Sequence, residues 1–304
     1  MPFGLRNAAQ TFQRLLDQIL RGLDDCFACV DDILVASSSE TEHFRLLEKV
    51  FARLADYGIK VNPQKCVLGA RSLVFLGHLL DRDGIRPAPD KVAAIQKFPL
   101  PATVKELRQF LGMINFYRSF CPNLAVMLRP LGAIVSPPRK MVWFPNARKA
   151  FHKAKLALAQ ATLLQHPDPT APLALMVNAS DQAIGGVLQQ YVNSAWKPVA
   201  FFSKHLQDHQ RRYSTFGREL LAAYAAVKRF LTKIKDATLS LSARAGVGNL
   251  FRAAGRIDVY KTARGPDRKN EKQPALFARI FMKSPLTGCL ELLFPGEACD
   301  VSSF

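Results

Sequence analysis

Residues 26 to 40, CFACVDDILVASSSE, set two adjacent aspartates, Asp31 and Asp32, between two apolar runs. Short runs rich in Val, Ile, Phe and Cys on both sides of a two-residue polar centre predict a tight β-hairpin, with the two carboxylates at or beside its turn. Such turns are ordinarily built from Asn-Gly or Asp-Gly, whose second residue accepts a positive φ. Asp-Asp is a poorer choice and brings like charges within a few ångströms of each other. Two explanations stay open at this level. One is a solvated turn whose charges keep an apolar hairpin soluble; the other is a carboxylate pair relieved by a divalent cation, as in two-metal phosphoryl-transfer enzymes. Asp24 and Asp25 are also adjacent, but they follow Gly22 without flanking strands and read as surface.

With 304 residues and a hydrophobic content of 49%, the chain has room for about two domains with packed cores. Lys and Arg number 42 against 24 Asp and Glu, for a net charge of +18. So basic a balance points to nucleic acid as the first partner. No apolar run reaches the ~18 residues of a membrane span, and no basic amphipathic face argues for a membrane surface. The start, MPFGLRNAAQ, has no charged segment followed by an apolar one, so no secretory signal is expected and the setting is intracellular, nucleus or cytoplasm. The six cysteines are scattered without the rhythm of a disulfide framework. Cys26 and Cys29 form a C-x-x-C, but on a strand they point to opposite faces and no second pair with zinc spacing follows. His205 and His209 have no third ligand in their polar, basic surroundings.

Periodicity divides the chain further. Phe12, Leu15, Leu16, Ile19 and Leu20 predict a helix closed by Gly22. After the hairpin, Ser39 and Glu42 fit a capping box for a helix with the stripe Phe44, Leu47, Val50, Phe51 and Leu54, ending at Gly58. KVNPQKCVL and SLVFLGHLL predict short strands, with a turn at DRDG, residues 81 to 84. A short helix from Pro89 to Phe98 precedes one capped by Thr103 and Glu106. The proline-rich stretch of residues 133 to 147 reads as a linker. A helix to about Ala161 follows, then alternating strands in LALMVNAS, GGVLQQYV and KPVAFFS that predict an antiparallel sheet. The last helix, Thr215 to about Ile234 with Ser214 as N-cap, carries Leu220, Tyr224, Val227, Phe230 and Leu231 on one face. From Asp236 periodicity weakens, and Arg244 to Lys283 holds ten Lys/Arg against three Asp/Glu, which reads as a solvated basic tail.

Seven blocks then point to a family: MPFGLRNAAQTFQR, FACVDDILVAS, FLGHLLDRDGIRPAPDKVAAI, KELRQFLGMINFYRSFCPNLA, NASDQAIGGVLQQ, WKPVAFFSKHL and YSTFGRELLA. In these, from residue 1 to about 235, the chain resembles the pol polyprotein of gypsy-type long-terminal-repeat retrotransposons, reverse transcriptase followed by RNase H. The resemblance implies an α+β and α/β fold. A partial reverse-transcriptase palm at 1–88 and a thumb-like helical subdomain at 89–132 would be followed by the linker at 133–147. An incomplete RNase H-like domain with a mixed sheet would occupy 148–235, leaving 236–304 as an unmatched tail. VDD looks like the polymerase motif Y-x-D-D, which makes Asp31 and Asp32 metal-binding aspartates, with Asp31 the direct ligand. Phe3, Gly4, Leu5 and Cys29 would line the nucleotide and template side, and Phe75, Leu76 and Gly77 the primer-grip hairpin. Glu219, in RELLA, matches the acidic ligand of RNase H. Mg²⁺ or Mn²⁺ would be the cofactor, RNA template or RNA/DNA hybrid the nucleic acid, and intact pol products a further partner class.

Three departures from the family's pattern predict impaired catalysis. The third polymerase carboxylate of the family lies upstream of the MPFGL block, and two-metal catalysis needs its bridging ligand. The Tyr of Y-x-D-D is Cys29, which removes a ring from the nucleotide pocket. The RNase H block that usually reads D-A-S begins with Asn178, a neutral amide at a lost ligand position, and the family's later aspartate has no counterpart after residue 235. Asp181, three residues on, reads as a turn aspartate. The alternatives are an active RNA-directed DNA polymerase complemented by another pol chain, or a non-catalytic domesticated interaction protein.

Overall fold

The computed structural model describes residues 7–23, 25–136, 141–168, 170–234, 239–243, 257–258 and 276–282. They divide at Gly84 into two compact units, one from the described part of Met1–Gly84 and Glu271–Val301, the other from that of Ile85–Asn270.

In the first unit, helix α1 (Ala8–Ile19) turns Leu16 and Ile19 inward and gives way to Gly22, whose φ of 77° a glycine adopts without strain. Strands β1 (Cys26–Cys29) and β2 (Asp32–Ser37) form the predicted antiparallel hairpin, with Cys29 opposite Asp32. The turn residues are therefore Val30 and Asp31, and Asp32 opens the second strand. Helix α2 (Glu40–Asp56) starts as its cap predicts, the Ser39 hydroxyl accepting from the Glu42 amide at 3.3 Å. Its buried line is His43, Leu47, Val50 and Leu54, whereas Phe44 is 61% exposed. The helical period explains the correction: Phe44 sits about 100° around the helix from His43 and so leaves the inward stripe. His43 is tolerated inside because its Nδ1 lies 2.7 Å from the Ser37 hydroxyl, and burial holds its imidazole below the usual range.

The two strands predicted next are shorter than expected. Pro63, which cannot donate to a ladder, opens a single 3₁₀ turn, Pro63–Lys65, and strand β3 (Val67–Ala70) starts only after it. SLVFLGHLL is two strands, β4 (Ser72–Phe75) and β5 (His78–Asp81), because Leu76 and Gly77 both take positive φ, 46° and 75°, as a two-residue hairpin turn requires. The largest departure lies in the stretch read as an unstructured tail. Residues Leu276–Phe281 form strand β12, inserted between β2 and β3 and antiparallel to both, so the sheet runs β1-β2-β12-β3. Alternation in LFARIF directs Ala278 and Ile280 into the core with Ile33, Val35, Val50 and Leu54. The strand also covers a β2 edge that would otherwise present unpaired backbone groups.

The second unit begins at Ile85, within strand β6 (Gly84–Pro87), and Ile85 bridges to Leu164. Helices α3 (Pro89–Lys97), α4 (Val104–Phe116), α5 (Leu124–Val135) and α6 (Pro145–Ala159) follow. Thr103 caps α4 by accepting from the Glu106 amide at 3.2 Å, and the Glu106 carboxylate accepts in return from the Ala102 amide at 2.8 Å. The predicted linker at 133–147 is helical at both ends, since α5 runs to Val135 and α6 starts at Pro145; residues 137–140 lie outside the described residues. These helices share a core around Leu107, Phe110, Ile114, Leu131 and Phe151.

Strands β7 (Leu173–Ala179), β8 (Ala183–Val192) and β9 (Ala195–His205) make the predicted antiparallel meander. Two further strands from the stretch read as tail, β10 (Leu239–Ala243) and β11 (Ile257–Asp258), add in parallel beyond β7 and make the sheet mixed, in the order β11-β10-β7-β8-β9. After the short helix α7 (Asp208–Arg211), α8 (Thr215–Ile234) begins with the Ser214 hydroxyl accepting from the Gly217 amide at 3.1 Å. Its inward line is Ala222, Ala223, Ala226 and Phe230; Tyr224, expected inside, is 59% exposed, and the Leu231 side chain lies outside the described residues. A helix face of alanines approaches the sheet closely, and Gly186 on β8 leaves the room for it, an added Cβ there lying 3.4 Å from that of Ala226. The second unit ties helices to sheet by specific bonds: the Arg118 guanidinium donates to the Ser203 carbonyl at 2.9 Å, and the Ala125 amide to the Ser203 hydroxyl at 3.0 Å. Among the described residues no helix is long and apolar enough to cross a membrane.

Candidate functional site

The hairpin turn that carries Asp31 is strained and held. Val30 has a φ of 48°, a region a β-branched side chain rarely occupies, at a cost of about 1–3 kcal/mol. Gln13, on α1, holds it: the Val30 amide donates to Gln13 Oε1 at 2.9 Å, and Gln13 Nε2 donates to the Ala28 carbonyl at 2.9 Å. Nothing in the spacing of the sequence singles out this glutamine, since its partners lie across the hairpin. Gln13→Ala strands the Val30 amide and the Ala28 carbonyl and is expected to lower stability by about 1–2 kcal/mol. An unchanged thermal midpoint for that variant would show that Gln13 does not hold the turn.

Asp31 is buried at 9% exposure, and its carbonyl accepts from the Met282 amide at 2.9 Å, so the chain just past β12 pins its backbone. Asp32 is more fully committed. Arg279, on β12, donates from Nε to Oδ1 at 3.0 Å and from Nη2 to Oδ2 at 2.8 Å, a bidentate pair in which the Asp32 side chain is 13% exposed. Arg279 Nη1 also reaches the Val74 carbonyl on β4, at a long 3.5 Å. The sequence reading missed Arg279. Only the LFARIF alternation marks a strand there, and nothing local names its partner. Both Asp32 oxygens therefore face a fixed positive charge, and the pair of aspartates as folded does not fit two divalent ions.

Around the hairpin, Cys29 is buried opposite Asp32, and Phe75 is buried with its ring edge-on to Phe27 at 6.1 Å. Leu76 and Gly77 form the β4–β5 turn described above. Phe3, Gly4 and Leu5 lie outside the described residues. Burial first, then the Asp25 carboxylate, push the Cys26 thiol up to about 12, so this half of the C-x-x-C is a protonated, unreactive thiol at neutral pH.

The second carboxylate position lies where α8 meets the end of β7. Glu219 is 2% exposed, its Oε1 accepts from the Ala179 amide at 3.1 Å, and its Oε2 is buried with no hydrogen-bond partner among the described residues. Asn178, the residue before Ala179, is exposed on β7 and sits opposite Gly185 in register. The neighbouring turn is organised by Ser180, whose hydroxyl accepts from the Gln182 and Ala183 amides at 3.2 and 3.0 Å. The turn chemistry expected of Asp181 belongs to this serine, and Asp181 is exposed. His205 ends β9 while His209 falls in α7, so they do not share a helix face.

Two family models match parts of this chain. Residues 1–80 match the family model "Reverse transcriptase (RNA-dependent DNA polymerase)", and residues 143–239 match "RNase H-like domain found in reverse transcriptase". The chain is 40% identical over 237 residues to the retrovirus-related Pol polyprotein from transposon 297 of Drosophila melanogaster, an alignment covering 76% of this chain and 22% of that protein. It is 34% identical over 236 residues to the corresponding polyprotein from transposon gypsy of the same organism, covering 73% and 22%. The chain thus spans about a fifth of the length of these curated relatives. Among solved structures, the foamy viral protease-reverse transcriptase in complex with RNA/DNA hybrid superposes with a TM-score of 0.74 at 24% identity, over 89% of this chain and 40% of that one. A second structure of that viral protein, a dRH form with double-stranded DNA, gives 0.72 at 23%, over 88% and 51%. By its two family modules and their order, the chain belongs to the retrovirus-related Pol polyproteins of transposons, carrying reverse transcriptase sequence followed by an RNase H-like domain.

Proposed function

We propose that this chain is a nucleic-acid-binding polypeptide of the RNA-directed DNA polymerase family whose polymerase and nuclease chemistry are both impaired. The observation that carries this reading is the engagement of both Asp32 oxygens by Arg279. Asn178, one residue before the Ala179 amide that Glu219 accepts from, supports it at the second position, since a neutral amide is a poor substitute for a carboxylate shared between metal ions. Reverse transcriptases and RNases H depend on divalent metal, and Asp31, Asp32 and Glu219 are the residues that would hold Mg²⁺ or Mn²⁺ here. As folded, Asp32 offers an ion pair in place of a ligand, and Glu219 one carboxylate where several are needed.

Binding rests on charge. The net charge is +18, and Lys105, Arg108, Arg129, Arg148 and Lys149 are exposed on helices of the second unit. Contacts of this kind go to phosphates, so recognition is largely sequence-independent and salt-dependent. The foamy viral relatives in fold were solved with double-stranded DNA and with RNA/DNA hybrid, which makes the hybrid the first ligand to test. Filter binding of an RNA/DNA hybrid between 50 and 200 mM salt is expected to show a loss of roughly 10³-fold or more if six or more phosphates are contacted. Level affinity across that range would rule the charge-based account out. Intact Pol products are the second partner class in this reading, with an intracellular setting, and co-purification with an intact reverse transcriptase checks the partnership.

A further inference from the structure

The contact between Arg279 and Asp32 follows from strand geometry. In the β2–β12 ladder Arg279 lies opposite Leu34, and residues two apart on a strand share a face, so Asp32 is the diagonal neighbour of Arg279 on that face. A planar guanidinium reaches both oxygens of a carboxylate from that position, and the distances of 3.0 and 2.8 Å show that it does. The same segment fixes the other aspartate through its backbone, by the 2.9 Å bond from the Met282 amide to the Asp31 carbonyl. One short segment therefore engages both halves of the acidic pair, with the Asp32 side chain largely shut off from water. A divalent cation on Asp32 would need an oxygen already bonded to Arg279 and would approach a fixed positive charge.

We infer that Arg279 stands in the place of a cation at the acidic hairpin, so that docking of the chain's own strand β12 and binding of a divalent metal at Asp32 exclude each other. The inference rests on the functional reading above and deepens it: the hairpin is a seat for an internal strand. Exclusion is reciprocal, since whatever factor β12 docking takes from metal affinity, metal must take from β12 docking.

The test uses the full chain and Mn²⁺, followed by electron paramagnetic resonance of the free ion, in wild type, Arg279→Gln, and Arg279→Gln combined with Asp32→Asn. Arg279→Gln is expected to gain a Mn²⁺ site at least about tenfold tighter than any Asp32-dependent binding in wild type, and the double variant to lose it. The inference is overturned if wild type already binds Mn²⁺ through Asp32 as tightly as Arg279→Gln, or if a variant with wild-type near-UV circular dichroism gains no site. Should Arg279→Gln not fold, Asp32→Asn alone decides by hydrogen exchange. Amides of Leu276–Phe281 should exchange at least about tenfold faster than in wild type, and unchanged protection would overturn the proposal. Primer extension on the same samples separates the two levels. Extension by wild type counts against impaired polymerase chemistry, whereas the Mn²⁺ and exchange results decide the role of Arg279.

Discussion

Phe110→Ala is expected to lower the unfolding free energy of the second unit by about 3–5 kcal/mol. Phe110 is fully buried at the centre of the α4 and α6 packing, with ring centroids 4.4 Å from Phe151 and 5.8 Å from Phe98. Truncation removes the transfer free energy of the ring and leaves a cavity that the surrounding helices only partly close. It also removes two ring–ring contacts worth about 0.5–1.5 kcal/mol each beyond the buried area. Trp143 packs edge-on to Phe151 at 5.9 Å and donates its indole N–H to the Pro101 carbonyl at 2.9 Å, so its fluorescence reports the same cluster during urea denaturation. A loss below about 1 kcal/mol would mean that the cluster is not the core of this unit.

Gly186→Val sets two effects against each other. Valine suits a strand better than glycine, by up to about 1 kcal/mol. Yet a Cβ at position 186 would lie 3.2 Å from the Met176 carbonyl oxygen, 3.3 Å from Val177 Cγ1 and 3.4 Å from Ala226 Cβ. Neither a backbone oxygen nor an alanine stub can rotate away, so overpacking wins and the expected loss is about 1–3 kcal/mol. Gly185→Ala, whose nearest contact would be an ordinary 3.4 Å to the Phe202 carbonyl, serves as the control on the same strand. Equal thermal midpoints for Gly186→Val and wild type would show that α8 does not sit on the sheet through its alanine face.

What could be read from the chain follows the range of the interactions. Ser39, Thr103 and Ser214 cap the helices they were expected to cap, because each bond spans three residues. The meander of β7 to β9 was legible from its alternation, and the Asp31–Asp32 hairpin from its flanking apolar runs. Failures came where the partner is distant or the local chemistry unusual. The inward face of α8 was misjudged by hydrophobicity, since its alanines are selected by the close approach of Gly186 on another strand. Leu76 at positive φ turned one expected strand into two. The placement of β12 depends on pairing across more than two hundred residues, for which no local pattern exists. The same holds for the site: Asp31, Asp32 and Glu219 were visible as motif residues, while Arg279, which pairs with Asp32, and Gln13, which holds the turn beside Asp31, were not.

Primer extension on an RNA template, first with Mg²⁺ and then with Mn²⁺, comparing wild type with the Asp31→Asn, Asp32→Asn double variant, tests most directly whether the acidic hairpin still serves polymerisation. With both proteins shown to be folded, neither is expected to extend the primer. Extension by wild type that the double variant abolishes would contradict this, and would mean that the hairpin gathers metal in spite of Arg279.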